Sequence, residues 1–331
     1  MTMLRVLATA VVLILFAAAA QAEAVKIGVL KTAASGPVFI AQGKGYFAAE
    51  GIEAELSYFE SAQPIAVATA SGDIDFGHTG FTGGFYGLAS QGVLRIVGGG
   101  ASEVPGYPNQ PFLASNKAWE AGLRSLKDMP GHTFAVSQIG SPPHYALGIV
   151  AQKLGFDIKT VRILPLQSIP ATVAALTGGQ ADAGGMTGSL GVAMLQRGDA
   201  KLLAYIGDVA PFQLAGTFVS RKTADERGAT VRRVLAALHK ASRDYHDAFV
   251  RDGKRADGPA ASEMLAIIAK ATGQSPEEVA RGLPYVDAEA RLETADVKRQ
   301  YEWYKEQGML KGTAEADAMI DLRYVVDLKP R

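Results

Sequence analysis

Cysteine is missing from the 331-residue chain. Its absence excludes disulfide bonds, thiol nucleophiles, cysteine-ligated metals and a lipid-modified cysteine anchor. Net charge is also missing, because 33 Lys and Arg residues balance 33 Asp and Glu residues. No overall field therefore attracts nucleic acid or anionic lipid, and we expect neither as a partner. The five histidines lack the close spacing of metal ligands, so we expect no metal and no cofactor.

Long apolar runs are missing except at the N-terminus. There Arg5 precedes an apolar stretch from Val6 to Ala19, followed by Ala20-Gln-Ala22. This order is typical of a secretory signal peptide, with cleavage predicted after Ala22. A membrane anchor is the alternative, but the run is shorter than the roughly 18 residues of a span. We expect residues 1–22 to be removed and the mature protein to be soluble in the periplasm.

Strand-like and helix-like segments alternate after the predicted signal. A βαβ pattern of this kind predicts a parallel sheet covered by helices, and therefore an α/β fold. The expected strands are Val25–Leu30, Ile52–Phe59, Asp73–Phe76 and Val93–Val97, and the expected helices are Ser35 to Gly51, Ala66–Ala70 and Phe81–Ser90.

Part of this pattern recurs 106 positions later. Ser35-Gly-Pro37 corresponds to Ser141-Pro-Pro143, and Pro64 with Gly72 corresponds to Pro170 with Gly178. Coincidence among common small residues could produce one such match. Several in register, at equivalent points of a βα unit, favour a duplicated pair of lobes, since the period is too long for a solenoid.

The C-terminal third is predicted to be mainly helical. Ser275-Pro-Glu-Glu278 has the form of a capping box with proline at the first helical position. Tyr301, Trp303 and Tyr304 lie on another predicted helix. They could form an aromatic binding platform, but their helical spacing also fits side chains packed in a core.

Several segments together carry a family resemblance. They are GKGYFAAEGIEAEL (43–56), SGDIDFGHTG (71–80), SLKDMPGHTFAVSQIGSPPHY (125–145), LTGGQADAG (176–184) and TADVKRQYEWYKEQGML (294–310). In this order they resemble the nitrate/sulfonate/taurine class of ABC-transporter solute-binding proteins. One departure is the glycine-rich ADAGGMTGSLG (181–191), where the family often has an aromatic or charged residue after Asp-Ala.

The resemblance implies a type II periplasmic binding fold, in which two α/β lobes joined by two crossover strands close on a ligand. The crossovers are expected near Gly100 to Gln110 and Asp208 to Gly216. Residues 23–105 and 216–331 would form the first lobe, with the C-terminal helices, and residues 106–215 the second. The implied function is a monomeric, non-enzymatic receptor that delivers a small organic anion, such as a sulfonate or carboxylate, to a membrane permease. The alternative is a relative of the thiamine-pyrimidine-precursor proteins on the same fold, which the signal peptide and missing cysteine disfavour.

The ligand is expected where helix starts face the cleft. In open α/β sheets ligands lie beyond the carboxyl ends of the strands, and helix starts offer unpaired N–H groups. The chain aims helix starts after Ser35, Gln63, Thr79, Ser141, Ile169 and Thr187 at one crevice. The predicted ligand-binding residues are Thr32, Ser35, Gly36, Gln63, Thr79, Gly80, Ser137, Ser141, His144, Met186, Thr187 and Asp208.

The role of His144 stays open at this stage. It has no histidine partner for a metal, and no G-x-S-x-G motif supports a hydrolase triad with Ser141. The two remaining interpretations are a histidine packed beside a helix start and one that donates or accepts a hydrogen bond with the ligand. A positive helix end disfavours an imidazolium, so we expect the neutral ring.

Overall fold

The computed structural model describes residues 22–328, so the predicted signal peptide, apart from Ala22, lies outside the described residues. The strands in chain order are β1 Glu23–Leu30, β2 Ile52–Phe59, β3 Phe76–Gly80, β4 Leu94–Gly99, β5 Ala101–Glu103, β6 Pro111–Ser115, β7 Thr133–Val136, β8 Arg162–Pro165, β9 Ala183–Gly185, β10 Ala200–Tyr205, β11 Phe212–Gln213, β12 Ala215–Ser220, β13 Val250–Arg251, β14 Lys254–Arg255 and β15 Tyr285–Val286.

The α-helices lie between these strands and dominate the C-terminal third. They are α1 Gly36–Gly43, α2 Tyr46–Ala49, α3 Ala62–Ser71, α4 Gly83–Ala89, α5 Asn116–Glu120, α6 Pro142–Leu154, α7 Ile169–Thr177, α8 Gly188–Arg197, α9 Ile206–Val209, α10 Arg221–Glu226, α11 Gly228–Phe249, α12 Ala261–Thr272, α13 Pro276–Arg281 and α14 Thr294–Glu306. In the part of the chain that the structure describes, no helix has the length and apolarity that a bilayer span needs.

Two five-stranded sheets share one topology. The first has the order β2-β1-β3-β12-β4, and the second, read from β8, has the order β8-β7-β9-β6-β10. In each sheet the first three strands are parallel and the next strand is antiparallel to them. The repeat seen in the sequence is therefore confirmed as a duplicated architecture, and the α/β fold class is confirmed with it.

The chain crosses between the two sheets twice. It leaves β4 of the first sheet at Gly99 and enters β6 of the second at Pro111, then returns between Tyr205 and Ala215. The crossing strands β5 and β11 pair antiparallel with each other, and β15 adds to the other edge of β5. A small sheet thus links the two larger ones where the sequence predicted the crossovers. The assignment of the lobes themselves stays a prediction.

Some predicted boundaries are wrong. The strand expected at Asp73–Phe76 begins at Phe76. The Asp75 side chain accepts the Lys26 amide and forms an ion pair with Arg227. The single helix expected up to Gly51 is broken at Gly45, which has a φ of 70° that favours glycine.

The C-terminal helices contact both sheets' helices. Helices α11 and α12 pack on α1, whereas α13 packs on α8 and α14 packs on α4 and α6. Tyr301, Trp303 and Tyr304 on α14 are buried, and the Trp303 ring lies edge-on to Tyr145 at 5.4 Å. Of the two interpretations of this aromatic group, packing in the core is the one that fits.

Glu23, the first residue after the predicted cleavage site, anchors the start of the chain. Its carboxylate accepts hydrogen bonds from Arg227 (2.6 Å) and Thr230 (2.8 Å) and pairs with Arg233. The hydrogen bond from Arg227, ahead of the other contacts, lowers the pKa of this carboxyl. A strand that begins at Glu23 is therefore tied to the C-terminal helix α11.

We expect Glu23→Gln to lower the free energy of unfolding at pH 7 by about 1 kcal/mol, because the carboxylate is only partly buried. A carboxyl whose pKa is lowered in the folded protein stabilises the fold at pH values above its unfolded pKa. This contribution is lost as pH falls. The difference between variant and wild type in urea melts should therefore shrink towards pH 3. Glu53→Gln on the neighbouring strand is the control, and equal losses in both variants would contradict the anchor.

Candidate functional site

A cavity lies between the two large sheets, beside the two crossings. We call it the cleft cavity. Its volume is about 70 Å³, room for about five water-sized groups. It is lined by Leu30, Thr32, Ala33, Ala34, Ser61, Ala62, Gly80, Asn109, Gln110, Ser137, Ser141, Pro142, Pro143, Ile169, Thr172, Gly185, Met186, Thr187, Gly188 and Leu214.

Strand ends bring these residues together. Leu30 ends β1, Gly80 ends β3 and Gly185 ends β9, while Ser137 directly follows β7. The carboxyl ends of the parallel strands of both sheets therefore meet at one place, which is where ligands bind in open α/β folds. The crossings complete the wall with Asn109, Gln110 and Leu214.

Hydrogen bonds join the sheets' loops beside the cavity. The Gly83 amide donates to the Gly140 carbonyl (2.8 Å), and the Gln63 amide donates to the side-chain oxygen of Gln138 (3.3 Å). Gly80 also lies close to the Pro142 ring, since a Cβ added to this glycine would be 2.8 Å from the Pro142 Cγ atom. The loops of the two sheets are in contact along this rim.

Six of the twelve residues predicted to bind ligand line the cavity. They are Thr32, Gly80, Ser137, Ser141, Met186 and Thr187. They come from both halves of the repeat, so the structure brings together residues that are far apart in the sequence. Their contact with a ligand stays a prediction.

Three of the other six are not lining residues, although Ser35 directly follows the lining Ala34. Ser35 is buried at the end of a short 3-10 helix, and Gly36 packs against the Tyr245 ring of α11. Asp208 is exposed on α9, where its carboxylate accepts the Gly106 amide at 3.0 Å. Asp208 thus ties the two crossings to each other.

The remaining three lie close to the rim without lining the cavity. Gln63 makes the rim hydrogen bond, and Thr79 is buried next to the lining Gly80. The Nδ1 atom of His144 accepts the Gly140 amide (3.0 Å), and its ring packs edge-on against Trp303. Burial lowers the pKa of His144 to about 4, so the ring is neutral at physiological pH. These contacts favour the packed interpretation of His144.

Helix starts contribute less than the sequence suggested. Pro142 and Pro143 have no N–H group, and the next two amides of α6 both donate to the Ser141 carbonyl, at 2.9 and 3.1 Å. The expectation that amides behind Ser141 face a ligand is therefore wrong. The helix expected directly after Thr79 begins at Gly83, capped by the Thr82 hydroxyl.

Three polar side-chain atoms of the lining are buried without a hydrogen-bond partner among the described residues. They are the Ser141 hydroxyl, the Thr187 hydroxyl and the Gln110 carbonyl oxygen. Ser141 and Thr187 precede α6 and α8, yet neither side chain caps its helix. Buried polar groups normally have a partner, because leaving one unpaired costs about 1–3 kcal/mol. These three atoms belong to residues that line the cavity, so a molecule bound there is a candidate partner for them.

Charge is missing from this wall. None of the twenty described lining residues has a charged side chain. Directly behind the wall, the fully buried Glu103 accepts a hydrogen bond from the lining Asn109. Burial raises the pKa of Glu103 to about 8, so this carboxyl is predominantly neutral at pH 7. In the part of the chain that the structure describes, no three His, Asp or Glu side chains are placed to hold a metal ion.

Sequence reasoning missed several lining residues, of which Ser61, Asn109, Gln110 and Thr172 are polar. The available signal for two of them is Pro108-Asn-Gln-Pro111, a polar pair between prolines in a predicted crossover. Polar amide side chains held between two rigid residues at a crossing are reasonable candidates for ligand contact.

Comparison with models of protein families identifies the family of this chain. A family model described as the NMT1-like family matches residues 18–256. The chain belongs to the NMT1-like family. The search of the curated proteins gave no match.

Solved structures confirm the periplasmic binding protein fold of this family member. The alkanesulfonate-binding protein SsuA from Xanthomonas axonopodis pv. citri, bound to MOPS, is 22% identical over 90% of this chain and 98% of its own, with a TM-score of 0.73. The aliphatic sulphonate binding protein SsuA from Escherichia coli is 20% identical over 93% and 94%, with a TM-score of 0.69. The nitrate-binding protein NrtA from Synechocystis PCC 6803 is 13% identical over 90% and 85%, with a TM-score of 0.67.

Proposed function

We propose that this NMT1-like protein is an exported receptor that binds a small polar solute in the cleft cavity and delivers it to an ABC permease. One observation carries the proposal: the Ser141 and Thr187 hydroxyls, at the N-terminal starts of α6 and α8, have no hydrogen-bond partner among the described residues and line one cavity with the crossing residue Gln110. The receptor interpretation also draws on the family and on solute-binding neighbours of the same fold.

The two hydroxyls should contribute to binding and not to folding. Because neither caps its helix, we expect Ser141→Ala and Thr187→Val each to weaken ligand binding about tenfold, or 1.4 kcal/mol, with little change in the melting temperature. Calorimetric titration and thermal melts of the apo protein measure the two effects.

Ser168→Ala is the matched control. The Ser168 hydroxyl accepts the Ala171 amide (3.2 Å) and caps α7, so its loss should cost about 1 kcal/mol of stability and no affinity. If Ser141→Ala instead melts early and binds normally, the hydroxyl has a structural role and the proposed contact is wrong.

The class of function is tested on the protein purified from its own host. Native mass spectrometry should show one small molecule retained per chain, and prolonged incubation should return it chemically unchanged. Turnover would indicate an enzyme instead. The family resemblance implies an organic anion, so alkanesulfonates, taurine and short carboxylates are the first compounds to titrate. Recovery of the mature protein from the periplasm, beginning at Glu23, would support export.

A further inference from the structure

We infer that the cleft cavity selects an uncharged solute that donates a hydrogen bond, in preference to an organic anion. This inference rests on the receptor function proposed above and concerns the ligand class of the same site. Three independent features of the cavity lead to it. They are the few free amides at three helix starts, the lack of charged side chains among the described lining residues, and the Gln110 carbonyl oxygen, which has no partner among the described residues.

Three of the helix starts around the cavity, those of α6, α7 and α3, have few amides left for an anion. An anion without a cationic side chain is normally held by free N–H groups at helix N-termini. At α6 two prolines remove two of these groups, and the following amides bond to Ser141. At α7 the second position is Pro170 and the Ser168 hydroxyl takes the third amide.

The start of α3 is occupied in the same way. The Gln63 amide, at the second helical position, donates to the Gln138 side chain across the rim. At each of these three helix starts, two or all of the first three amides are therefore replaced by proline or bonded within the protein. An anion would also have to move from water to a cavity in which none of the described lining residues is charged. This transfer has a high free-energy cost for an unpaired charge.

The acceptor is the carbonyl oxygen of Gln110. This side chain is 4% exposed, lines the cavity, and its oxygen has no partner within the part of the chain that the structure describes. A carbonyl oxygen only accepts, so its partner must supply an N–H or O–H group. The Ser141 and Thr187 hydroxyls can then donate to an acceptor of the same molecule. Amides, sulfonamides and ureas combine these groups without a charge.

Methanesulfonamide and methanesulfonate test the inference as a matched pair. They have the same number of non-hydrogen atoms, five, which suits a cavity with room for about five water-sized groups. We expect calorimetry at pH 7 to show that the sulfonamide binds at least tenfold more tightly than the sulfonate. The reverse order would overturn the inference while leaving the receptor function intact.

Variants at Gln110 test whether this side chain causes the preference for the sulfonamide over the sulfonate. We expect Gln110→Leu to weaken sulfonamide binding about tenfold, because the ligand's donor loses its acceptor. We expect Gln110→Glu, which keeps an acceptor at that place, to bind the sulfonamide within a few-fold of wild type. Thermal melts exclude unfolding as the cause, and an unchanged affinity of Gln110→Leu would overturn the assignment of this residue.

The molecule retained from the host provides a second measurement. After denaturation of the protein, a released solute that passes through an anion-exchange resin at pH 7 supports the inference, and one that is retained overturns it. If the protein carries no solute and neither probe gives heat, the proposed receptor function fails, and the inference fails with it.

Discussion

Gly80→Val should reduce ligand affinity at least a hundredfold. The added Cβ would lie 2.8 Å from the Pro142 Cγ atom, and two further methyl groups would extend beyond it. This contact joins the last residue of β3 in the first sheet to the first residue of α6 beside the second. The proline ring cannot rotate away, so the strain is relieved by moving the two sheets apart, which opens the cavity.

Opening of the cavity by Gly80→Val can be distinguished from a loss of fold stability. Gly80 pairs with Ala215 inside the first sheet, and valine is a good strand residue there. We therefore expect the apo variant to melt within a few degrees of wild type. Small-angle scattering of the variant at saturating ligand should show the larger radius of gyration of the open form, whereas wild type contracts on binding.

Gly87→Ala is the matched control on helix α4. Its added Cβ would meet only the Met309 carbonyl at 3.6 Å, an ordinary contact. Alanine is also favoured over glycine within a helix, so this variant should bind normally and melt no earlier than wild type. Normal binding by Gly80→Val would mean that the Gly80–Pro142 contact is not part of the bound state.

The sequence predicted the repeat because βα units have local signatures. Ser35 and Ser141 mark equivalent helix starts, and the structure places them before α1 and α6. The two crossings are implied by the family resemblance that such segments carry. Such features depend on residues close together in the chain, where turn and cap chemistry decides the local structure.

Side-chain surroundings could not be predicted in this way. Gly36 was expected to approach a ligand, but Tyr245 of α11 packs against it. His144 had two open interpretations, and Trp303 on α14 together with the Gly140 amide favours one of them. In each case the deciding neighbour comes from a distant helix, and no local pattern specifies where that helix packs.

The same reason explains why Gln110 was not predicted to line the cavity. Its polarity is visible in the sequence, but its value as a ligand contact depends on the crossing strands running along the cavity wall. The topology of both sheets determines that path. The buried Glu103 behind Asn109 is a further case, since a charged residue in a sequence is normally expected at the surface.

Glu103→Gln should change how the free energy of unfolding depends on pH. It should remove most of the contribution that the proton on the Glu103 carboxyl makes to this dependence. Glu103 is fully buried on β5, and burial, ahead of the nearby Asp208 charge, raises its pKa from 4.5 to about 8. The folded protein therefore keeps a proton that the unfolded chain releases. The folded state is favoured fully below the unfolded pKa and loses this contribution as pH rises towards about 8.

The expected size follows from the two pKa values. Each unit corresponds to about 1.4 kcal/mol, so wild type should lose roughly 4 kcal/mol relative to the variant between pH 4.5 and 9. Urea melts of both proteins across this range give the difference directly, and the histidines and other titrating groups cancel from it. Glu53→Gln, at an exposed site on β2, is the matched control.

A flat difference for Glu103→Gln would mean that the carboxyl is ionised in the folded protein at neutral pH. That result would also place a negative charge directly behind Asn109 and the cavity wall. An expected slope instead means that the wall and the carboxyl behind it are neutral together at pH 7. The hydrogen bond from Asn109 then holds this amide in the wall without any charge near the solute.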